Sequence, residues 1–127
     1  MRRVVMLRDL YFDQYRDAQS VGFQGALERG FNRNPESKAY EVVMRHGSMH
    51  VGLYAPRGSD PQQPHTQDKV YVVMRGQGQF LRGDAQQAFA PGDVLFVPAG
   101  LEHRFVDFTG DLTVWVVFYG PEGGENE

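Results

Sequence analysis

The stretch Pro91-Gly92-Asp93-Val94-Leu95-Phe96-Val97-Pro98-Ala99-Gly100-Leu101-Glu102-His103-Arg104-Phe105 sets one short apolar strand between turn signals and then delivers a single histidine. Pro91-Gly92 suits the central positions of a type II turn, with proline fixing φ and glycine supplying φ > 0. Val94 to Val97 is a continuous β-prone run, and Pro98-Ala99-Gly100 stops it. A second strand starts near Glu102. Strand alternation puts His103, Phe105 and Asp107 on one face and Arg104, Val106 and Phe108 on the other. His103 therefore shares a face with an aromatic ring, and it is the first candidate ligand.

Outward from this segment the chain reads as short strands between turn residues. They are expected near 38–45, 48–55, 63–75 with a break near Gln67, 78–81, 86–90, 93–97, 102–108 and 112–119. A His46-Gly47 turn and a polar loop through Gly58 and Pro61 separate the early ones. Many short strands with Gly, Pro or Asp between them predict an all-β sandwich or barrel. The run Leu112 to Tyr119 is apolar on both faces, as in a strand covered on both sides, so Trp115 and Tyr119 are read as core packing rather than pocket wall. Residues 1–35 differ: they are mixed and weakly periodic, and are read as a short, partly helical arm covering the barrel. Tyr11, Tyr15 and Ala18 have helical spacing behind a cap at Asp9, and Ala26-Leu27-Glu28-Arg29 ahead of Gly30 predicts a short helix. The expected organisation is an arm over 1–35, a barrel over 36–120 and a flexible tail over 121–127 whose glycines and glutamates fray.

A chain of 127 residues without a long linker fits one domain with one core. A net charge of −3 with scattered arginines argues against nucleic acid, which calls for a basic patch. No cysteine is present, so any metal must rely on His, carboxylate, amide or water. Arg8 and Asp9 interrupt the N-terminus before an apolar segment of useful length, and no run approaches membrane-spanning length. A soluble cytoplasmic protein, with no membrane or nucleic-acid partner, is the expectation.

Residues 58–107 resemble the two motifs of the cupin superfamily, small single-domain barrels of the jelly-roll or double-stranded β-helix type. The second motif runs Gly, five residues, Pro, one, Gly, two, His, three, Asn. Gly92, Pro98, Gly100 and His103 fall in register, with Asp107 in the asparagine place. The first motif runs His, one residue, His, three or four, Glu, six, Gly. Anchored on Gly76, it puts Lys69 where glutamate belongs, His65 at the second histidine and Gln63 at the first.

The resemblance implies a barrel in which three histidines and a glutamate hold a divalent metal, and this chain retains two of the four. The candidate metal ligands are His65, His103 and Gln63, whose imidazoles and weaker amide suit Fe, Mn, Zn or Ni. Each histidine alone is read as a satisfied core residue; both on motif positions favour a pocket role. Asp68 is one strand step from Lys69 and so faces away, and Asp107 lies about 13 Å along the strand from His103. Lys69, Tyr71 and Gln67 are the candidate ligand-binding residues, with Lys69 also a candidate catalytic group; His46 and His50 are given no role. At 4 Å from a divalent ion, a charged Lys69 adds repulsion of about 8 kcal/mol at an effective dielectric near 20, so metal is expected to be weak or absent. The lysine head is expected to turn to the barrel mouth, where it stays wet and pairs with Asp68 or a ligand anion. The leading function is binding of a small, anionic organic molecule around the two histidines, and the alternative is a metal-dependent oxygenase or isomerase. The two-faced last strand and the arm predict a homodimer.

Overall fold

Alternation of branched and aromatic residues with polar ones decides what each strand buries. The computed structural model describes residues 20–28 and 40–126. Its strands are β1 (Tyr40–His46), β2 (Met49–Tyr54), β3 (Asp68–Arg75), β4 (Gly78–Arg82), β5 (Ala85–Phe89), β6 (Val94–Val97), β7 (His103–Val106) and β8 (Thr113–Tyr119), and a single helical turn, α1 (Phe23–Leu27), precedes them. A five-stranded sheet has the order β1-β2-β8-β3-β6, and a three-stranded sheet has the order β5-β4-β7. Each pair is antiparallel. This is the expected all-β jelly-roll barrel. The expected cap at Asp9, the helical spacing of Tyr11, Tyr15 and Ala18, and the end of the second helix at Arg29-Gly30 lie outside the described residues.

The core fills the space between the sheets. Tyr71 and Val73 of β3, Phe80 of β4, Phe105 of β7 and Val116 and Phe118 of β8 all belong to it. The Val94 to Val97 run keeps strand alternation: Leu95 and Val97 are buried, whereas Val94 and Phe96 point outward. β8 is apolar on both faces because two clusters need it. Val114, Val116 and Phe118 face the barrel, and Trp115 packs with Val43, Leu53 and the α1 residues Phe23, Ala26 and Leu27 outside it. The Phe23 and Trp115 rings meet edge to face, 6.1 Å apart. Among the described residues no helix is long and apolar enough to cross a membrane.

The turn that opens β6 forms as the sequence predicts. Gly92 has φ +95°, and Asp93 N donates to Ala90 O at 3.1 Å. A β-carbon at Gly92 meets nothing within 4 Å, so Gly92→Ala carries only the left-handed backbone penalty of about 1–2 kcal/mol. Gly76, the glycine that closes the first motif, is different. It has φ +94°, and a β-carbon there lies 2.7 Å from the backbone Cα of Leu112. Gly76→Ala is therefore expected to cost about 3 kcal/mol or more, and denaturant midpoints of the two variants should differ accordingly. Equal midpoints would show that the β4 entrance tolerates a side chain.

Candidate functional site

Lys69 sits on the inward face of β3, opposite Val97 of β6 and Phe118 of β8. The same alternation turns Tyr71 inward two residues on, and both are essentially fully buried. The lysine head does not stay wet as the sequence suggests. Nζ lies 4.9 Å from the Tyr71 ring centroid and 5.2 Å from that of Phe118, and it donates to Gln62 Oε1 at 2.9 Å. Burial drives the amine down to about 7, against the pull of the Asp60 carboxylate. Asp68 is not its partner. The Asp68 carboxylate faces the other way and accepts from Ala99 N and Glu125 N, donors that hold it below the usual carboxylate range.

The loop before β3 carries the rest. Asp60, only 4 % exposed, accepts from four donors: Tyr54 OH and Gln62 N on Oδ1, and Gln62 Nε2 at 2.7 Å and Phe105 N at 2.8 Å on Oδ2. The bond to Gln62 N is an Asx turn, which Asp-Pro favours. The amide nitrogen of Gln62 is thereby spent on Asp60, and its oxygen is aimed at the barrel. Lys69 Nζ at 2.9 Å and Tyr71 OH at 2.5 Å both donate to that one oxygen. Burial, the leading cause, holds the Tyr71 hydroxyl well above its usual range, so it stays a donor.

His103 enters from β7 and His65 from the loop, with ring centroids 5.6 Å apart. Gly100 N donates to His65 O at 2.7 Å, and the His65 ring meets Phe118 edge-on at 4.9 Å. Burial first, then the charge of Lys69, pulls His65 down to about 4. Burial also lowers His103, although its bond to Leu101 opposes this. Both imidazoles are thus neutral near pH 7. His103 Nδ1 is 2.9 Å from Leu101 O, which can only accept, so Nδ1 carries the proton and Nε2 offers a lone pair 3.3 Å from Gln62 Oε1.

The structure thus brings together Lys69, Tyr71, His65 and His103. It leaves out Gln63, which is exposed, and Gln67, whose amide ties Ser48 O to Gly120 O on the rim. Strand parity cannot extend back from Lys69 to Gln63 because β3 starts only at Asp68. Gln62 and Asp60 take the inner positions instead. The Asp-Pro turn signal marks Asp60 in the sequence, but nothing there reveals its bond to Phe105 N. Asp107, in the motif's asparagine place, sits at φ 51° beyond the end of β7 and is exposed.

An open cleft of ≈ 510 Å³ lies beside His65, lined by Thr66, Ala99, Gly100 and Gly123 among others. The tail residues that were expected to fray are hydrogen-bonded along this rim, with Gly123 N donating to Thr66 O at 2.7 Å and Glu125 N to Asp68 Oδ2 at 2.8 Å. The donor set does not fit a full metal cage. Among the described residues no group of three or more His, Cys, Asp or Glu is placed to hold an ion. Two imidazoles with a buried amine beside them are what remain.

The profile of the cupin domain family matches residues 50–119. An uncharacterized protein of Streptomyces coelicolor, SCO3923, is 43 % identical over 86 residues, which cover 66 % of this chain and 82 % of that protein. Among solved structures, a putative mannose-6-phosphate isomerase from Ralstonia eutropha JMP134 superposes with a TM-score of 0.53 at 23 % identity, covering 68 % of this chain and 87 % of that one. FeII HppE superposes with a TM-score of 0.50 at 18 % identity, covering 63 % and 48 %. At these identities the structural likenesses establish the fold alone, while the family match spans more than half of the residues. The chain belongs to the cupin domain family.

Proposed function

We propose that this cupin binds a small organic anion whose carboxylate or carbonyl oxygen takes the place of Gln62 Oε1. One observation carries the reading: two buried donors, Lys69 Nζ and Tyr71 OH, converge on a single sp² oxygen supplied by a partly exposed loop residue. A loop side chain can swing aside, whereas the strand-borne lysine and tyrosine cannot. The Asp60 charge does not defeat an anion here, because with the Gln62 side chain swung aside Tyr54 OH and Gln62 N still donate to one oxygen and Phe105 N to the other. Lys69 supplies the countercharge.

This predicts a pH dependence. An anion favours the protonated lysine, and the free amine loses its proton near pH 7. Affinity for lactate, a small hydroxy acid, is expected to be greatest below pH 7 and to fall about tenfold per unit above it, where binding takes up close to one proton. Calorimetry in buffers of different ionisation enthalpy measures both. Affinity that is flat between pH 6 and 9, or unchanged in Lys69→Met, would remove the lysine from the reading.

The second reading is a metal-dependent oxygenase or isomerase, and the bare Nε2 of His103 near His65 is what favours it. Metal analysis of protein purified without chelator or a nickel column separates the two. Stoichiometric iron or manganese would overturn the first reading as stated. The cytoplasmic, homodimeric state belongs to the same proposal. Val94 and Phe96 are 64 % and 43 % exposed on β6, at the edge of the five-stranded sheet, and form an apolar edge that a second copy would cover. Light scattering at micromolar concentration should return twice the mass of one chain; the mass of a single chain would count against the dimer.

A further inference from the structure

The oxygen that Lys69 and Tyr71 share belongs to an amide, so the site already holds a carbonyl group of its own. A ligand carbonyl that displaces it inherits three neighbours. Lys69 Nζ and Tyr71 OH are donors to its oxygen, and the lone pair of His103 Nε2 lies 3.3 Å from the same point. The amine sits in an apolar cage of Tyr71 and Phe118, which excludes the water that solvates an ordinary lysine. Among the described residues this is the one lysine, and the sequence holds one other, Lys38.

We propose that Lys69 forms an imine with the carbonyl carbon of a small oxo acid bound at the Gln62 oxygen position. The inference rests on the anion-binding reading and narrows its ligand to a carboxylate that bears an adjacent aldehyde or ketone. The Nζ lone pair attacks the carbonyl carbon to make a C–N bond, and the π electrons move to oxygen, which Tyr71 OH stabilises as charge develops there. Nitrogen sheds a proton, the oxygen gains one, and a neutral carbinolamine results, with its new hydroxyl able to donate to His103 Nε2. A second proton, taken up from solvent, reaches that hydroxyl, the C–O bond breaks, water leaves, and the nitrogen lone pair closes the C=N bond as an iminium. No oxidant or reductant is required. The iminium restores the positive charge that the neutral amine lacked, now beside the ligand's own carboxylate. The chemistry needs an unprotonated amine. With Lys69 lowered to about 7, a substantial fraction of it is neutral at pH 7, against a fraction on the order of 10⁻³ for an unperturbed lysine.

The test uses the full chain with glyoxylate and with pyruvate, each in the presence of sodium cyanoborohydride, followed by intact-mass and peptide mapping. One reduced adduct per chain on Lys69 is expected, in large excess over Lys38 and the terminal amine, with a yield that peaks near pH 7, where neutral amine is present and the anion still binds. Lys69→Met, whose fold is checked by its melting curve, should show none. Adducts spread equally over Lys69, Lys38 and the terminus, or no adduct at Lys69 with either acid, would overturn the imine. Lactate calorimetry distinguishes the two failures. If lactate binds and no adduct forms, the imine alone falls. If lactate does not bind either, the anion reading falls with it.

Discussion

Asp60→Ala is expected to lower the free energy of unfolding by about 3–5 kcal/mol, the largest stability loss of any polar substitution in the site. The carboxylate is buried and every bond it makes is accepted: from Tyr54 OH, from Gln62 N and Nε2, and from Phe105 N of β7. Alanine leaves the Phe105 N–H and the Tyr54 hydroxyl inside the barrel with no partner, and each such group costs about 1–3 kcal/mol. It also releases the Gln62 amide that holds the loop against Lys69 and Tyr71. Asp60→Asn tests the same idea more gently. One oxygen survives, but the amide nitrogen must face a donor, so a loss between zero and the alanine value is expected. Urea denaturation monitored at Trp115 provides the measurement. A loss under about 1 kcal/mol for Asp60→Ala would mean that water replaces the carboxylate freely and that the loop is not anchored there.

How much of this was legible in the sequence follows from the range of the forces involved. The strands were readable because alternation and turn chemistry are local. The Pro91-Gly92 turn, the inward His103 and Phe105, and the shared face of Lys69, Tyr71 and Val73 all follow from residues a few positions apart. The all-β class follows from the same signals, and the jelly-roll barrel from the resemblance of the two motifs. The first half of the site was not readable in this way. Gln63 was the motif's position, yet parity counts residues only along an unbroken strand, and the chain from Ala55 to Gln67 is irregular. There the winner is decided by long-range bonds: Asp60 reaches Phe105, and Gln62 follows Asp60 inward. The lysine departs from the sequence expectation for a related reason. A four-carbon stem normally carries its charge out to water, but Gln62 closes over this one and Tyr71 and Phe118 flank it, so the cheaper course is to give up the proton. The two apolar faces of β8 do signal a strand covered on both sides, and α1 with Phe23 and Ala26 covers part of the second face.

Lys69→Glu is expected to reverse the preference of the site, raising affinity for manganese or zinc by about tenfold or more and abolishing lactate binding. The position is inward on β3 beside Gln62, and His65 and His103 approach each other within 5.6 Å between ring centroids. In the natural chain a bound divalent ion meets an amine that is charged below about pH 7 and costs repulsion of several kcal/mol, or one that must first lose its proton. Metal affinity of the natural chain should therefore be weak and should improve as pH rises through 7. Glutamate removes that linkage and adds an anionic oxygen to two neutral imidazoles, giving the three-ligand set that leaves positions open on a divalent ion. His103 is already prepared for the role, because Leu101 O fixes its Nδ1 proton and leaves Nε2 bare. The opposing cost is a second buried carboxylate near Asp60, which makes the gain smaller than an isolated acid would give. Titration calorimetry of both proteins at pH 6 and pH 8 separates these effects. The advantage of the glutamate variant should be larger at pH 6, where the natural lysine is charged. If the natural chain binds manganese as tightly as the variant at both values, Lys69 does not share a site with the two histidines, and the anion-binding reading loses its countercharge.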